Sequence, residues 1–152
     1  LRTIFKDYHE GVVYSKLPLF YEEWDDESSE LLLACDDEVQ KICTALPEFQ
    51  LSYVKSLKKH YESPTVKAMT RKISSIEPFK GLKTPAIAVK GGYIPDLNSR
   101  YFTADFSYGL TIIQQIARFA EVDTPQIDNT MSWYRNISIY ANELLFATRS
   151  LY

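Results

Sequence analysis

The chain has 152 residues, 45% of them hydrophobic and 24% charged, which are proportions typical of one globular domain with its own apolar core. The 17 Lys and Arg residues and 20 Asp and Glu residues give a formal net charge of −3, so no basic excess is present to attract nucleic acid or an anionic membrane. No stretch approaches the roughly 20 apolar residues that a membrane-spanning helix needs. The sequence opens on Leu1, and we expect residues 1–152 to form a single domain that is a fragment of a longer protein.

Residues 1–24 show the weakest helical pattern in the chain. The runs 12–14 and 17–21 are rich in β-branched and aromatic residues, and Gly11 stands just before them at a turn-favouring position. We therefore predict one or two short N-terminal strands.

A first helix is predicted from Asp25 or Asp26 to about Leu46. Either Asp is a suitable N-cap, and the apolar residues that follow recur at helical spacing. The two cysteines, Cys35 and Cys43, are both expected on this helix, about 12 Å apart along its axis. That separation is too large for a disulfide, so we expect two buried reduced thiols and a cytoplasmic protein.

Two shorter helices and a long irregular segment are predicted next. Apolar spacing indicates a helix at residues 51–61, and Ser63-Pro64 favours the start of another that covers residues 65–75. Residues 76–101 lose this periodicity and are interrupted by prolines and glycines. A loop of this length inside a compact domain is uncommon and is often functional.

A fourth helix is predicted at residues 104–120, and Ile112 and Phe119 widen its apolar stripe until most of its sides are expected to be buried. Thr124 is a suitable N-cap, and Pro125 is a suitable first residue, for a fifth helix. The tail from residue 140 is expected either to extend this helix or to form a sixth. The predicted fold is therefore mainly α, a helical bundle of about five or six helices with a short N-terminal β element.

Several kinds of site find no support in the sequence. The two histidines and two cysteines form no zinc-binding pattern, no Gly-x-Ser-x-Gly hydrolase motif is present, and we expect no metal. None of the five glycines belongs to a phosphate-binding Gly-x-Gly-x-x-Gly or Walker loop, so the chain is not expected to hold a dinucleotide by that device.

The end of the long loop brings an arginine and an aspartate to a predicted helix start. Thr103 is a good N-cap, and Asp105 then falls in the first turn, where free N–H groups and the helix dipole favour its ionised form. Arg100 is able to grip a substrate carboxylate through two parallel hydrogen bonds. Asp105 is able to orient a histidine and to stabilise its protonated form.

The same residues also have a purely structural interpretation. A first-turn aspartate commonly stabilises its helix by about 0.3–1 kcal/mol. Arg100 is equally well explained as a surface cation or as the ion-pair partner of Asp105. The residue pattern alone favours this structural interpretation, because perturbed or paired charges are only statistical markers of functional sites.

Three segments resemble the octopine/nopaline (opine) dehydrogenase family. Residues 120–128 resemble its Ala-Gly-Val-x-Thr-Pro-x-Ile-Asp segment, and residues 19–23 resemble its Phe-Tyr-Glu segment. The family's longest signature is Arg-Tyr-(Phe/Leu)-Thr-Glu-Asp-x-Pro-Tyr-Gly-Leu. This chain departs from it at two positions, where Ala104 replaces the Glu and Ser107 replaces the Pro. The residues that match this signature are Arg100, Tyr101, Phe102, Thr103, Asp105, Tyr108, Gly109 and Leu110.

The resemblance implies a two-domain oxidoreductase of which this chain is the C-terminal helical, substrate-binding domain, with a 6-phosphogluconate dehydrogenase C-terminal-like fold. The implied activity is the reductive condensation of a 2-oxo acid such as pyruvate with an amino acid. The implied cofactor is NAD(P)H, held mainly by an N-terminal Rossmann domain that this sequence lacks.

The resemblance also assigns roles to individual residues. Asp105 matches the family's catalytic aspartate, which assists an acid–base histidine, and Arg100 matches an arginine that binds a substrate carboxylate. The further substrate-binding candidates in the signature are Tyr101, Thr103, Tyr108 and Gly109.

The family histidine belongs to an Asn-x-x-His segment upstream of this domain, and neither His9 nor His60 matches it. The isolated chain is therefore predicted to be inactive. Trp24 and Trp133 are also candidates for the walls of the cleft, although aromatic residues more often belong to a core.

Two alternatives stay open at this point. One is the helical domain of another NAD(P)-dependent dehydrogenase, such as a ketopantoate reductase or a glycerol-phosphate dehydrogenase, which would supply a catalytic lysine from a helix. The other is a non-catalytic helical interaction module with an aromatic surface for a protein partner. Convergence of Arg100 and Asp105 on a concave face would favour the opine dehydrogenase domain, whereas a convex, solvated Asp105 would favour the interaction module.

Overall fold

A computed structural model describes residues 1–149, and their side chains as far as residue 139. The fold is mainly α with one small antiparallel sheet, which confirms the predicted fold class. None of the helices described is long and apolar enough to cross a membrane. The helices are α1 (Asp26–Ala45), α2 (Leu57–His60), α3 (Val66–Ser74), α4 (Arg100–Thr103), α5 (Thr111–Phe119) and α6 (Pro125–Arg149), and the strands are β1 (Ala86–Val89) and β2 (Gly92–Pro95).

Helix α1 begins and ends where the sequence predicts. The Asp25 carboxylate accepts a hydrogen bond from the Ser28 N–H at 2.8 Å, which satisfies one of the free donors of the first turn. Cys35 and Cys43 both lie on α1 as free, partly buried thiols. Burial raises the pKa of the Cys35 thiol to about 11, so this thiol stays protonated at neutral pH.

Two buried acidic side chains of α1 cap other helices. The Asp36 carboxylate accepts from the Leu57 N–H at 2.8 Å, at the start of α2. The Glu38 carboxylate accepts from the Gln126 and Ile127 N–H groups at 2.8 and 3.0 Å, at the start of α6. A carboxylate at a helix N-terminus bonds the free N–H groups and opposes the positive end of the helix dipole. Helix α1 therefore holds the first turns of two helices that are distant in sequence.

The core forms where α4, α6 and the N-terminal segment meet. Phe5 and Phe102 are fully buried there, beside Ile127 of α6. The Trp133 indole N–H, also buried, donates to the Phe5 carbonyl at 3.3 Å, so the N-terminal segment is fixed to α6 by a hydrogen bond as well as by packing.

The β element lies elsewhere than the sequence predicts. The two predicted N-terminal strands are wrong as strands, because each contributes a single bridge: Tyr14 pairs with Tyr93, and Leu19 pairs with Lys83. The sheet itself lies within residues 76–101, which were predicted to be irregular. A β-prone run forms a strand only if a partner strand continues beside it. Here one run meets the hairpin at a single residue, Tyr93, and the other meets only Lys83, which precedes β1.

The position after the hairpin turn requires a glycine. A Cβ atom on Gly92 would lie 2.2 Å from the Tyr14 carbonyl oxygen, and its φ of +151° is unfavourable for other residues. Gly92 therefore allows the N-terminal segment to approach the hairpin closely enough for the Tyr14–Tyr93 bridge.

The long helix predicted at residues 104–120 is interrupted. A single π-helical turn, Asp105–Leu110, separates α4 from α5. The expectation that this helix is buried on most sides is also wrong, because Ile112 and Phe119 are 49% and 71% exposed. Helix α5 is covered on one side only, and apolar composition alone cannot show which apolar residues find a partner. The predicted helix 51–61 likewise forms only its last part, as α2.

Helix α5 ends at a position that glycine normally takes. Glu121 has φ +54°, and the next N–H, that of Val122, donates back to the Ala117 carbonyl at 2.9 Å. We expect Glu121→Gly to raise the stability of the chain by about 0.5–1 kcal/mol, because a left-handed conformation is costly for a residue with a Cβ. Thermal unfolding of the two chains measures this difference.

A matched substitution inside a helix gives the control. Glu30→Gly, in the second turn of α1, is expected to destabilise the chain by about 1 kcal/mol, since glycine there gains nothing from left-handed freedom. Equal effects of the two substitutions, in sign and size, would contradict the explanation from backbone conformation.

Candidate functional site

A cavity of about 390 Å³ opens between α1, α2, α3 and the turn that joins α4 to α5. Its walls are mostly apolar and aromatic, and hydroxyl groups are spaced among them. Cavities of this size are at the lower end of those that hold small ligands, about 300–1,000 Å³. The residues that matter most below are Tyr21, Trp24, Tyr61, Ile76, Tyr101 and Asp105.

The π-helical turn places Asp105 at this cavity. The turn is closed by a hydrogen bond from the Gly109 N–H to the Ala104 carbonyl at 2.9 Å, five residues back instead of four. The Thr111 hydroxyl also donates to the Phe106 carbonyl, at 3.0 Å. Such single π-turns insert one residue into a helix and occur frequently at functional sites.

The electrostatic prediction for Asp105 is wrong in direction. Asp105 lines the cavity, although the residue as a whole is exposed to solvent. Partial desolvation of its carboxyl raises the pKa of Asp105 above its usual range, and the nearby Arg100 guanidinium opposes this shift without cancelling it. Thr103 does not cap a new helix: it is the last residue of α4, and its hydroxyl donates to the Ser99 carbonyl at 3.2 Å. Asp105 therefore follows a complete helical turn, α4, and does not lie at a helix start, where free N–H groups would favour its ionised form.

The hydroxyl of Tyr21 is a polar group in the wall of this cavity. Burial, with smaller contributions from Tyr101 and Asp105, raises the pKa of Tyr21 to about 12. Its hydroxyl is therefore protonated at neutral pH and available as a hydrogen-bond donor. The Tyr21 ring stacks against Phe79 at 4.4 Å and against Trp24 at 6.3 Å between ring centroids.

The remaining site candidates divide into two groups. Tyr101 lines the cavity and meets Phe20 edge-on at 5.0 Å between ring centroids. Thr103, Tyr108 and Gly109 do not line it, and all three are exposed. A Cβ on Gly109 would meet the Ala104 carbonyl at an ordinary 3.5 Å, so no close approach requires glycine there.

Arg100 lies beside the site rather than in its wall. Its side chain is exposed and is absent from the cavity lining, yet its charge acts on Asp105. The two side chains form no ion pair within the described part of the chain. Of the two structural interpretations of Arg100, pairing with Asp105 therefore finds no support, whereas its exposure is compatible with a plain surface cation.

Several wall residues escaped sequence reasoning. Trp24 was a candidate and does line the cavity, whereas Trp133 belongs to the core. Tyr21 belongs to the segment that resembles the family's Phe-Tyr-Glu, so this resemblance could have identified it as a candidate. Tyr61 and Ile76 carried no signal, since only the packing of α2 and α3 on α1 brings them to the cavity.

The described residues hold no group of three or more His, Cys, Asp or Glu side chains placed to bind a metal ion. His9 and His60 are exposed and do not line the cavity. Gly91 and Gly92 form the hairpin turn, so neither stands at the start of a helix as a phosphate cradle would require. No phosphate cradle is formed by these two glycines.

The sequence matches a known family over most of its length. The family profile described as NAD/NADP octopine/nopaline dehydrogenase, alpha-helical domain, covers residues 11–138. Octopine dehydrogenase of Mizuhopecten yessoensis is 30% identical over 134 residues, which are 82% of this chain and 34% of that protein. Opine dehydrogenase of Haliotis discus hannai is 30% identical over 140 residues, 85% of this chain and 34% of that protein.

Solved structures agree with the sequence relatives. Octopine dehydrogenase with NADH and pyruvate matches with a TM-score of 0.73 and 29% identity, over 86% of this chain and 33% of that one. The same enzyme with NADH and L-arginine matches with a TM-score of 0.73 and 27% identity, over 88% of this chain and 36% of that one. The chain spans about a third of the length of the relatives that it matches. It belongs to the octopine/nopaline dehydrogenase family, and residues 11–138 correspond to the alpha-helical domain of that family.

Proposed function

We propose that this chain is the substrate-binding domain of an opine dehydrogenase. The longer enzyme condenses a 2-oxo acid such as pyruvate with the amino group of an amino acid and reduces the product with NAD(P)H. The observation that carries this proposal is the position of Asp105, which matches the family's aspartate and lines an apolar cavity with Arg100 beside it. Relatives named octopine, opine and tauropine dehydrogenases support the reaction class.

The chemistry assigns Asp105 an orienting role. The amine adds to the carbonyl carbon, water leaves to give an imine, and a hydride then reduces the imine carbon while a proton adds to nitrogen. These proton transfers need an acid–base group near neutral pH, which is the usual role of histidine. The family resemblance places that histidine upstream of this domain, and neither His9 nor His60 lines the cavity, so we assign the histidine to the rest of the protein. Asp105 holds its ring and stabilises its protonated form.

Arg100 is proposed to bind a substrate carboxylate. Both substrates carry one, and a guanidinium recognises a carboxylate through two parallel hydrogen bonds. The Arg100 side chain is exposed, which leaves it free to meet a ligand at the open side of the cavity. Tyr21 and Tyr101 are added to the candidates as hydroxyl donors in the wall, whereas Thr103, Tyr108 and Gly109 are left without a direct contact to a ligand in the cavity.

NAD(P)H, which supplies the hydride, is proposed to bind mainly to a separate Rossmann domain, since the described residues offer no cradle for it. An exposed apolar stripe on the π-turn and α5 marks where that domain would pack. A solvated stripe of this kind on one helix face commonly marks an interface. A structure of the longer protein in which the stripe stays solvated would contradict this contact. The stripe comprises Tyr108, Ile112, Ile116 and Phe119.

Two finer assignments belong to the same proposal. We assign the fold to the 6-phosphogluconate dehydrogenase C-terminal-like group, and we place the protein in the cytoplasm on account of its two free cysteines. The isolated 152-residue chain is expected to have no activity, because neither the histidine nor the cofactor domain belongs to it.

The decisive experiment follows NADH oxidation by the longer protein with pyruvate, with and without a panel of amino acids. We expect oxidation to require both substrates, and we expect none from the isolated chain. Oxidation with a 2-oxo acid alone would indicate another dehydrogenase. No oxidation with any pair of substrates would favour a non-catalytic interaction module.

A further inference from the structure

The cavity beside Asp105 carries very little charge. Of the described side chains that line it, Arg2 and Asp105 alone are charged. The Arg2 guanidinium lies over the Trp133 ring, 5.4 Å from its centroid, so it is fixed as part of the wall. The rest of the lining is aliphatic, aromatic, hydroxyl or thiol.

We propose that this cavity receives the side chain of an amino-acid substrate that is neutral and apolar, of the size of leucine, methionine or phenylalanine, and that it disfavours arginine. This inference rests on the proposed function. Octopine dehydrogenase has been solved with L-arginine, whereas this chain would belong to an enzyme that prefers a different amino acid.

The first reason is the cost of burying a cation. A guanidinium taken from water into an apolar wall needs a carboxylate partner or several carbonyl acceptors. The single carboxylate in the wall is Asp105, which the proposed chemistry already uses, and Arg2 would repel a second guanidinium. An apolar side chain meets no such penalty and gains from the transfer out of water.

The second reason is the state of the aromatic wall. Aromatic faces are an alternative receptor for a guanidinium. Here the Tyr21 ring is stacked against both Phe79 and Trp24, and Tyr101 meets Phe20 edge-on, so several aromatic faces of the wall are already covered by other rings. Aliphatic surface is added to the same wall by Leu57 of α2 and by Ile76, which follows α3.

Side-chain competition in the longer enzyme tests this inference. With pyruvate and NADH held constant, kcat/KM for leucine, methionine and phenylalanine is expected to exceed that for arginine by roughly 10- to 100-fold. A higher kcat/KM for arginine would overturn the inference and leave the proposed opine dehydrogenase standing. If NADH oxidation needed no amino acid, or if no amino acid supported it, both this inference and the proposed opine dehydrogenase function would be overturned.

A charge placed in the wall gives a second, independent measurement. Ile76→Glu is expected to shift the ratio of arginine to leucine kcat/KM by at least about 10-fold in favour of arginine, since the new carboxylate pairs with the guanidinium. The matched control is Ile87→Glu, on β1, which is exposed and outside the cavity, and its ratio should stay within about twofold of wild type. An unchanged ratio in Ile76→Glu would overturn the placement of the side chain in this cavity.

A milder variant covers the case in which Ile76→Glu does not fold. Ile76→Ala enlarges the cavity without adding charge, and it is expected to raise the ratio of phenylalanine to leucine kcat/KM by several-fold to about 10-fold. If Ile76→Ala folds and leaves this ratio unchanged, the cavity does not read the amino-acid side chain.

Discussion

Asp105→Asn in the longer enzyme is expected to lower kcat by roughly 100- to 10,000-fold, the range seen when the partner of an acid–base histidine loses its charge. Asn keeps the size of the side chain and its ability to accept a hydrogen bond, but it cannot stabilise a protonated imidazole. The measurement is NADH oxidation at saturating concentrations of pyruvate and the best amino acid.

The same substitution is expected to leave the fold intact or slightly more stable. Burial raises the pKa of Asp105 above its usual range, so the folded state disfavours the ionised carboxylate relative to the unfolded state. A raised carboxyl pKa costs stability once the pH rises above the unfolded value, and this cost is absent where both states are protonated. At pH 7 the unfolding midpoint of Asp105→Asn should therefore equal or exceed that of wild type, and the difference should vanish below about pH 4.

Opposite effects on activity and stability separate a functional role of Asp105 from a structural one. Asp123→Asn is the matched control, because Asp123 is exposed like Asp105 but does not line the cavity. Its activity and its unfolding midpoint should both stay near wild type. A midpoint that falls by many degrees in Asp105→Asn, or a kcat within threefold of wild type, would show that Asp105 serves the helix and not the reaction.

Local interactions were predicted well from the sequence. Asp25 caps α1 through a residue three positions away, and Pro125 opens α6 with the backbone angle that a first helical turn requires. Asp105 was found by its family signature, and the physical interpretation placed it correctly near Arg100. Its pKa was predicted in the wrong direction because Thr103 was interpreted as a cap, whereas α4 begins several residues earlier.

Long-range features carried no local signal. The π-turn includes a hydrogen bond from the Gly109 N–H to the Ala104 carbonyl, and a helical sequence pattern does not distinguish such a turn from an ordinary α-helical one. Tyr61 and Ile76 reach the cavity because α2 and α3 fold back on α1, which apolar spacing does not reveal. The buried Glu38 appears in the sequence as one more acidic residue of an amphipathic helix.

Glu38→Ala is expected to be among the most destabilising single substitutions on α1. The side chain is 4% exposed and bonds two N–H groups of the first turn of α6, those of Gln126 and Ile127. Removing the carboxylate leaves the Ile127 donor buried without a partner and the Gln126 donor partly so. The expected loss is about 2–4 kcal/mol in free energy of unfolding. For a chain of this size that corresponds to a fall in the unfolding midpoint of roughly 4–16 °C.

Two comparisons isolate the cap from a general loss of packing. Glu38→Gln keeps the shape and one acceptor oxygen, and it is expected to lose about half as much stability as Glu38→Ala. Glu30→Ala, an exposed position on the same helix, should change stability by less than about 0.5 kcal/mol. Hydrogen exchange locates the effect: the Gln126 and Ile127 amides should exchange faster in Glu38→Ala while those of α3 do not. Helix α6 supplies half of the buried residues in the core cluster that includes Phe102 of α4 and Phe106 of the π-turn. If Glu38→Ala were as stable as Glu30→Ala, α6 would be positioned by its apolar face alone. Helix α1 would then support the site only through packing.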